Sequence, residues 1–173
     1  MKTYTTRLSS LFLRHVRREL MRFPTRFFRE EFRWITGMPV GAVHVPLALL
    51  PVEYRSVSSV GVRVEPLSNL KVLGLLDGHG HPVMASAHSH PGVGPFSVSP
   101  SHIDLAMHRR FELAGYTLVG LIFSRDGWVR AFSWQQHFEV EVYGNGIEQH
   151  DSDLFRIVPL HQRSRAYCTA EQR

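Results

Sequence analysis

Two histidines and an aspartate are spaced in a way that would let them hold a metal ion. His88 and His90 lie two residues apart at the end of an apolar run, and Asp104 follows a loop that returns from Pro91. Because side chains two residues apart on a strand share a face, the two imidazoles can act side by side. Two imidazoles and a carboxylate are donors that zinc accepts, and three protein ligands leave a fourth position for water. The pattern therefore predicts an open, hydrolytic zinc site.

Each part of this pattern also has a purely structural interpretation. Ser101 and Asp104 are spaced like a helix N-cap and a first-turn acid. A His-x-His pair at a strand end can also be incidental. The chain contains a second such pair, His79 and His81, which lies among glycines and has no Ser-x-x-Asp at a comparable distance. We therefore assign His79 and His81 to a loop and keep the metal hypothesis for the later pair.

Hydrophobic periodicity and turn signals predict the elements that position these residues. A strand is expected at Val83–His90 and a helix at Ser101–Ala114, so that the histidines end the strand and the aspartate begins the helix. The other expected elements are strands at Glu30–Thr36 (closed by Gly37), Val57–Val64, Thr117–Ser124, Trp128–Trp134 and Phe138–Val142, and a helix at Asn69–Leu76 capped by Ser68. This alternation predicts an α/β fold, a mixed β-sheet flanked by helices in a single domain.

The N-terminal segment is strongly basic. Residues 1–33 carry a net charge of +6, against −1 for the rest of the chain. An apolar residue recurs every four positions, at Leu8, Phe12, Val16 and Leu20. This spacing predicts an amphipathic helix over 8–21 with its arginines facing outward. A basic, acid-poor start is also typical of a mitochondrial transit peptide, which stays open as an alternative.

The composition excludes several classes of protein. The longest weakly polar stretch, Met38–Val52, is interrupted by His44 and three prolines, and it is shorter than the roughly 20 apolar residues of a membrane helix. The one cysteine, Cys168, excludes an internal disulfide and a cysteine-rich zinc site, and its polar surroundings offer no base for thiol catalysis. No apolar signal-peptide core is found near the N-terminus, and we expect a cytoplasmic protein.

His88-Ser89-His90-Pro91 followed by Ser101-x-x-Asp104 resembles the signature of the JAMM/MPN+ metalloproteases. The resemblance covers roughly residues 29–142. It implies an MPN/JAB-type fold, one catalytic zinc ion, and cleavage of a peptide or isopeptide bond after a ubiquitin-like protein. On this basis we divide the chain into a basic amphipathic N-terminal helix at 1–28, an MPN/JAMM catalytic domain at 29–150 and a C-terminal extension at 151–173.

The same resemblance implies a glutamate on the first strand as general base, seven residues before a glycine. Glu30 and Gly37 have this spacing. Alternation would place Glu30 on one face with Phe32 and Trp34, in apolar surroundings that would raise its pKa toward the range of a general base. Glu31 is the alternative base. Both glutamates could instead only balance nearby arginines.

In the mechanism that the resemblance implies, zinc activates water, Glu30 moves its proton to the leaving amine, and Ser101 donates a hydrogen bond to the oxyanion. The small residues between Pro91 and Pro100 would admit a glycine-ending tail by strand addition. A ubiquitin-like protein is the expected substrate, and no membrane or nucleic-acid partner is expected.

The Phe123–Gly127 hairpin resembles bacterial members encoded beside homologues of ubiquitin-activating and ubiquitin-conjugating enzymes, in cassettes associated with antiviral defence. Those homologues are candidate partners.

Two alternative functions stay open. One is a non-catalytic MPN scaffold, and the other is a basic nucleic-acid-binding module that would use Phe23, Phe27 and Phe28.

Overall fold

The computed structural model describes residues 3–22, 29–59 and 61–159 of the chain. The strands, in chain order, are β1 (Tyr4–Ser9), β2 (Phe32–Val40), β3 (Val43–Pro51), β4 (Tyr54–Ser58), β5 (Gly61–Val64), β6 (Val83–Ser89), β7 (Val119–Phe123), β8 (Trp128–Phe132), β9 (Phe138–Tyr143), β10 (Ile147–Gln149) and β11 (Leu154–Ile157). The helices are α1 (Ser10–Leu20), α2 (Pro66–Gly78) and α3 (His102–Leu113), and a 3-10 helix spans Pro95–Val98.

Within the described residues, nine strands form one mixed sheet in the order β10-β11-β8-β7-β6-β2-β3-β1-β9, and β4 and β5 form a separate hairpin. β6 pairs parallel with β7 and antiparallel with β2. All residues of β6 and β7 are buried, as expected for interior strands that are covered on both faces. The last residues of β6 therefore lie near the middle of the sheet, where a site can be enclosed.

Helices cover both faces of the sheet. On one face, α1 buries Leu13, Val16 and Leu20 against a cluster that includes Ile35 and Leu121. On the other face, the cluster around Phe32 and Trp34 includes residues of α2, α3 and the β4–β5 hairpin. The predicted mixed α/β sheet flanked by helices is confirmed.

The predicted N-terminal helix is wrong at its start. Tyr4, Thr6 and Leu8 are buried in β1, which pairs parallel with both β3 and β9. The helix begins after Ser9, whose hydroxyl accepts a hydrogen bond from the Phe12 amide and so caps it. Leu8 is thus buried as expected, but it reaches the core from a strand.

The expectation that the arginines of this helix face outward is wrong for Arg14 and Arg17. Arg14 Nη2 donates to the carbonyl oxygens of Gly146 and Val158, at 2.9 and 2.8 Å. Arg17 Nη2 donates to the Arg125 carbonyl. Because these carbonyls lie beyond the helix, both arginines fasten α1 to the rest of the fold.

Three further expectations about elements need correction. Gly37 does not close β2, which continues to Val40. It lies at a register shift where a Cβ would come 2.0 Å from the Val45 carbonyl oxygen. The segment at 57–64 is a hairpin and not one strand. Ser68 does not cap α2, because the helix starts at Pro66 and the Ser68 hydroxyl accepts a hydrogen bond from the Glu53 amide.

The division of the chain at 28/29 and 150/151 stays a prediction. β1 and β11 both belong to the main sheet, and β11 pairs with β8 and β10. Phe23, Phe27, Phe28 and Cys168 lie outside the described residues. None of the helices within the described ranges is long and apolar enough to span a membrane.

Candidate functional site

His88 and His90 meet at the carboxyl end of β6. Their Nε2 atoms are 3.1 Å apart, and both residues project to the face that α3 covers. His90 Nδ1 lies 2.8 Å from the Ser97 carbonyl oxygen. A carbonyl can only accept a hydrogen bond, so Nδ1 carries the proton and the lone pair stays on Nε2. Burial lowers the pKa of His90, helped by its neighbour His88, and both effects keep it neutral and able to bind a metal.

Asp104 completes the cluster from the first turn of α3. Its Oδ1 is 3.2 Å from His88 Nε2, and its Oδ2 is 4.0 Å from His90 Nε2. Oδ2 also accepts a hydrogen bond from the Ser101 amide at 2.7 Å. Burial raises the pKa of this carboxyl, but the hydrogen bonds from His88 and Ser101 outweigh burial and hold the pKa well below its ordinary value. Asp104 is therefore an ionised carboxylate aimed at two imidazoles.

The three side chains fit a metal ion. One donor atom from each of His88, His90 and Asp104 lies within 4.8 Å of the others, and no second group of this kind occurs among the described residues. Ligands at about 2.0–2.1 Å from a tetrahedral ion lie about 3.3 Å from each other. His88 Nε2 lies 3.1 Å from His90 Nε2 and 3.2 Å from Asp104 Oδ1, and both separations match this value. The nearest approach of Asp104 to His90 Nε2 is through Oδ2 and is longer, at 4.0 Å. The donors thus could bind a metal ion, with room for a fourth, non-protein ligand.

His79 and His81 take no part in this group. Both are exposed in the turn that follows α2, as expected for the loop assignment.

Glu30 is buried just before β2 and lines the same cleft as the His–His–Asp group. Its amide donates to the Ser58 carbonyl at 2.9 Å, which ties it to the β4–β5 hairpin. Burial raises the pKa of its carboxyl; His88 opposes this shift and Asp104 adds to it. Glu30 therefore offers a carboxylate in the environment that general bases use. Phe32 also lines the cleft, so the expected sharing of one face is observed.

Glu31 is fully buried and does not line the cleft. Its Oε2 accepts hydrogen bonds from Arg33 at 3.0 Å and from the Tyr54 hydroxyl at 2.8 Å. Arg22 and Arg29 also lie within ion-pair distance, at 3.6 and 3.9 Å. The interpretation that a glutamate here balances arginines thus describes Glu31, although the pair with Arg33 is buried and not on the surface.

Ser101 lies at the N-terminus of α3 and also lines the cleft. Its hydroxyl oxygen accepts a hydrogen bond from the Asp104 amide at 3.3 Å, so the residue is the N-cap of a full capping box. A hydroxyl has one donor as well as its acceptor lone pairs. Capping therefore leaves the Ser101 hydrogen available to a group in the cleft.

The cleft has a volume of about 1230 Å³. One wall is the β4–β5 hairpin and the other is α3, and the floor includes Phe32 and Trp34 of β2. The sequence pattern does not predict this hairpin wall, because it indicates a single strand over residues 57–64, where the structure has a hairpin. The turn signal was the serine pair Ser58 and Ser59 ahead of Gly61.

The loop from Pro91 to Pro100 differs from its expected role. It holds the 3-10 helix Pro95–Val98 and no strand, so it offers no strand edge to which a tail could add. Ser97 turns inward, and its carbonyl orients His90. A side chain at Gly92 would come 2.6 Å from the Ser97 Cβ atom, so this turn requires glycine.

Comparison with known proteins gives a likeness of fold. No family model matches the chain, and a search of curated proteins finds no match. A protein of Desulfitobacterium hafniense solved in solution is similar at 16% identity with a TM-score of 0.50, over 82% of this chain and 95% of that one. A JAB1/MPN domain protein from Archaeoglobus fulgidus is similar at 14% identity with a TM-score of 0.43, over 83% of this chain and 98% of that one. The structural neighbours of this chain thus include a JAB1/MPN domain protein. At identities of 14% and 16%, the likeness is one of fold alone.

Proposed function

We propose that this chain is a zinc-dependent peptidase of the JAMM/MPN+ type that cleaves after the C-terminal glycine of a ubiquitin-like protein. The observation that carries the proposal is the meeting of His88, His90 and Asp104 in one cleft with Glu30. The donor set of two imidazoles and one carboxylate is typical of catalytic zinc sites. A zinc ion held by these residues would polarise the scissile carbonyl and activate water.

The roles of the other residues follow from their contacts. Glu30 is buried, and its raised pKa suits it to take a proton from water and deliver it to the leaving amine nitrogen. Ser101 keeps its hydroxyl hydrogen for the oxyanion, because its cap hydrogen bond uses the oxygen as acceptor. The Ser97 carbonyl holds the His90 ring so that Nε2 faces the other donors.

Neither alternative function has a specific observation in its favour. A non-catalytic scaffold would not need three donors and a buried carboxylate in one cleft. The nucleic-acid-binding alternative is based on the basic N-terminal segment, but Arg14 and Arg17 of that segment are engaged with backbone carbonyls.

The biological setting is part of the proposal. The ubiquitin-like substrate, the homologues of ubiquitin-activating and ubiquitin-conjugating enzymes as partners, and a bacterial, cytoplasmic antiviral system all follow from the motif resemblance. The substrate could be a precursor or a conjugate. Incubation with a panel of ubiquitin-like fusions would identify it.

The test of the metal site compares two pairs of variants. His88→Ala and Asp104→Ala should lose bound zinc, measured by elemental analysis of the purified protein, whereas the double variant His79→Ala/His81→Ala should retain it. Equal loss from the turn histidines would mean that the metal lies elsewhere.

The test of the reaction uses Glu30→Gln. This variant should keep zinc and the fold but lose most turnover on a ubiquitin-like fusion, because an amide cannot accept the proton. A fusion whose last glycine is replaced by valine should stay uncut by the wild type, as judged by mass spectrometry of the products. Full activity of Glu30→Gln, or cleavage at unrelated sites in an unfolded protein, would contradict the proposal.

A further inference from the structure

The cleft that contains the His–His–Asp group is also lined by arginines. They are Arg55 of β4, Arg63 of β5 and Arg110 of α3. Among the lining residues, carboxylates come only from Glu30 and Asp104, which belong to the site itself. Apart from the residues of the site, the charged side chains that line the cleft are therefore all positive.

These arginines are available to a ligand. All three are exposed, and in the described part of the chain none of them forms an ion pair with a carboxylate. By contrast, Arg7 pairs with Glu141 and Arg130 pairs with Asp153. The charges of the three cleft arginines are thus left for a ligand that enters the cleft.

Apolar side chains also line the cleft. Ile103 is 66% accessible, and Val62, Met107 and Phe111 are half-buried. A segment that fills the cleft would bind most tightly if it combined apolar side chains with carboxylates. A segment rich in lysine or arginine would be repelled by the arginines of both walls, so the cleft disfavours basic ligands.

We infer that the substrate segment next to the scissile bond is acidic and apolar, and that Arg55, Arg63 and Arg110 select it by charge. This inference rests on the proposed function and names the chemistry of its substrate. The chain's own C-terminal residues 160–173 do not fit this description, because they contain three arginines and one acid. The occupant is therefore a tail of another protein.

The experiment compares two fluorescein-labelled peptides that end in Gly-Gly and differ at three positions, which are glutamate in one and lysine in the other. Because both peptides are products with no bond left to cut, fluorescence anisotropy with the wild-type protein measures binding alone. The acidic peptide should bind at least about tenfold more tightly, since each exposed arginine–carboxylate pair contributes a few-fold. The difference should shrink between 50 and 500 mM NaCl as the charges are screened.

Charge-reversal variants assign the effect to the cleft. The triple variant Arg55→Glu/Arg63→Glu/Arg110→Glu should lose the preference for the acidic peptide and gain affinity for the basic one. Lys71→Glu, at an exposed position of α2 outside the cleft, is the control for a charge reversal that does not touch the cleft and should change the ratio less than twofold. Circular dichroism would confirm that both variants fold.

Three results would overturn the inference: equal binding of the two peptides, tighter binding of the basic peptide, or no binding of either at millimolar concentration. An unchanged preference in the triple variant would overturn the assignment to these arginines. None of these results affects the proposed peptidase activity, which is judged separately by zinc content and by the loss of turnover in Glu30→Gln.

Discussion

Glu31→Gln should destabilise the fold, whereas Glu30→Gln should not. The two adjacent glutamates differ in what they contact. The Glu31 side chain is 1% exposed and pairs with Arg33, which is 7% exposed, at 3.0 Å. Glu30 faces the cleft, where burial raises its pKa and no ion pair with an arginine is formed in the described residues. Replacing the charge of Glu31 leaves a buried guanidinium without its carboxylate.

The size of the effect follows from this burial. Removing one partner of a buried ion pair costs about 3–5 kcal/mol. Arg33 also donates to the Phe32 carbonyl at 2.7 Å, and this hydrogen bond survives the substitution, so we expect the lower end of the range. About 3 kcal/mol corresponds to a decrease in Tm of about 6–12 °C for a domain of this size. Glu30→Gln should change the free energy of unfolding by less than about 1 kcal/mol.

Urea denaturation followed by far-UV circular dichroism would measure both changes. Glu141→Gln is the matched control, because Glu141 forms an arginine pair of similar length, 2.8 Å, with both side chains 51% exposed. An exposed pair contributes at most about 1 kcal/mol. If Glu31→Gln costs no more than Glu141→Gln, the buried cluster does not stabilise the fold as argued. If Glu30→Gln is the more destabilising of the adjacent pair, their assigned roles are reversed.

Three further predictions concern Ser101, His108 and Arg14. Ser101→Ala should lower the free energy of unfolding by about 1 kcal/mol, because the N-cap is lost, and should reduce turnover by about 10²–10³-fold. If kcat falls by less than about fivefold, Ser101 has only a capping role. His108 is fully buried, and burial lowers its pKa from 6.5 to about 4. The unfolded chain therefore gains a proton below pH 6.5 that the folded chain does not, so the free energy of unfolding should fall by about 3 kcal/mol between pH 7 and pH 4. His108→Gln should remove this part of the pH dependence, and an identical urea titration for the variant would refute the assignment. Arg14→Glu should lower the free energy of unfolding by at least about 2 kcal/mol in the same assay, because the Arg14 guanidinium donates to carbonyls that flank β10 and β11. The control, Arg18→Glu on the exposed side of α1, should change it by less than about 0.5 kcal/mol.

The parts of the fold that were predictable have strong local signals. β7 is a short apolar run that is buried on both faces, and α3 carries a capping box at Ser101. The meeting of the two histidines and the aspartate was predictable for the same reason. His88 and His90 are fixed on one face by the period of a strand, and Asp104 is fixed by the first turn of a helix.

The errors at the N-terminus arose from two periods that overlap. Tyr4, Thr6 and Leu8 alternate with exposed or half-buried residues, which is the pattern of a strand. Leu8 also stands four residues before Phe12, so the helical period could be extended back over it. Ser9 between them was the physical boundary, because it is the N-cap.

Other features depend on contacts between distant parts of the chain and carry no local signal. The structural role of Arg14 requires the carbonyls of residues 146 and 158, more than a hundred residues away. The carbonyl of Ser97 that orients His90 is a backbone group, which no side-chain pattern can indicate. In the sequence, Glu30 differs from Glu31 by alternation and by the spacing to Gly37 that the resemblance implies. The contacts of Glu31 with Arg33 and Tyr54, which separate the two residues, form in three dimensions.

The two interpretations of Ser101-x-x-Asp104, helix cap and metal ligand, are compatible because a carboxylate has two oxygens. Oδ2 of Asp104 accepts the Ser101 amide at 2.7 Å, while Oδ1 lies 3.2 Å from His88 Nε2. The capping hydrogen bond fixes the rotamer of Asp104, and the positive end of the α3 dipole favours its negative charge. The same hydrogen bonds hold its pKa low, so the carboxylate is ionised before any metal arrives. Since a ligand that is already oriented and charged loses little freedom on binding, the cap would prepare Asp104 for the metal ion that we propose it binds.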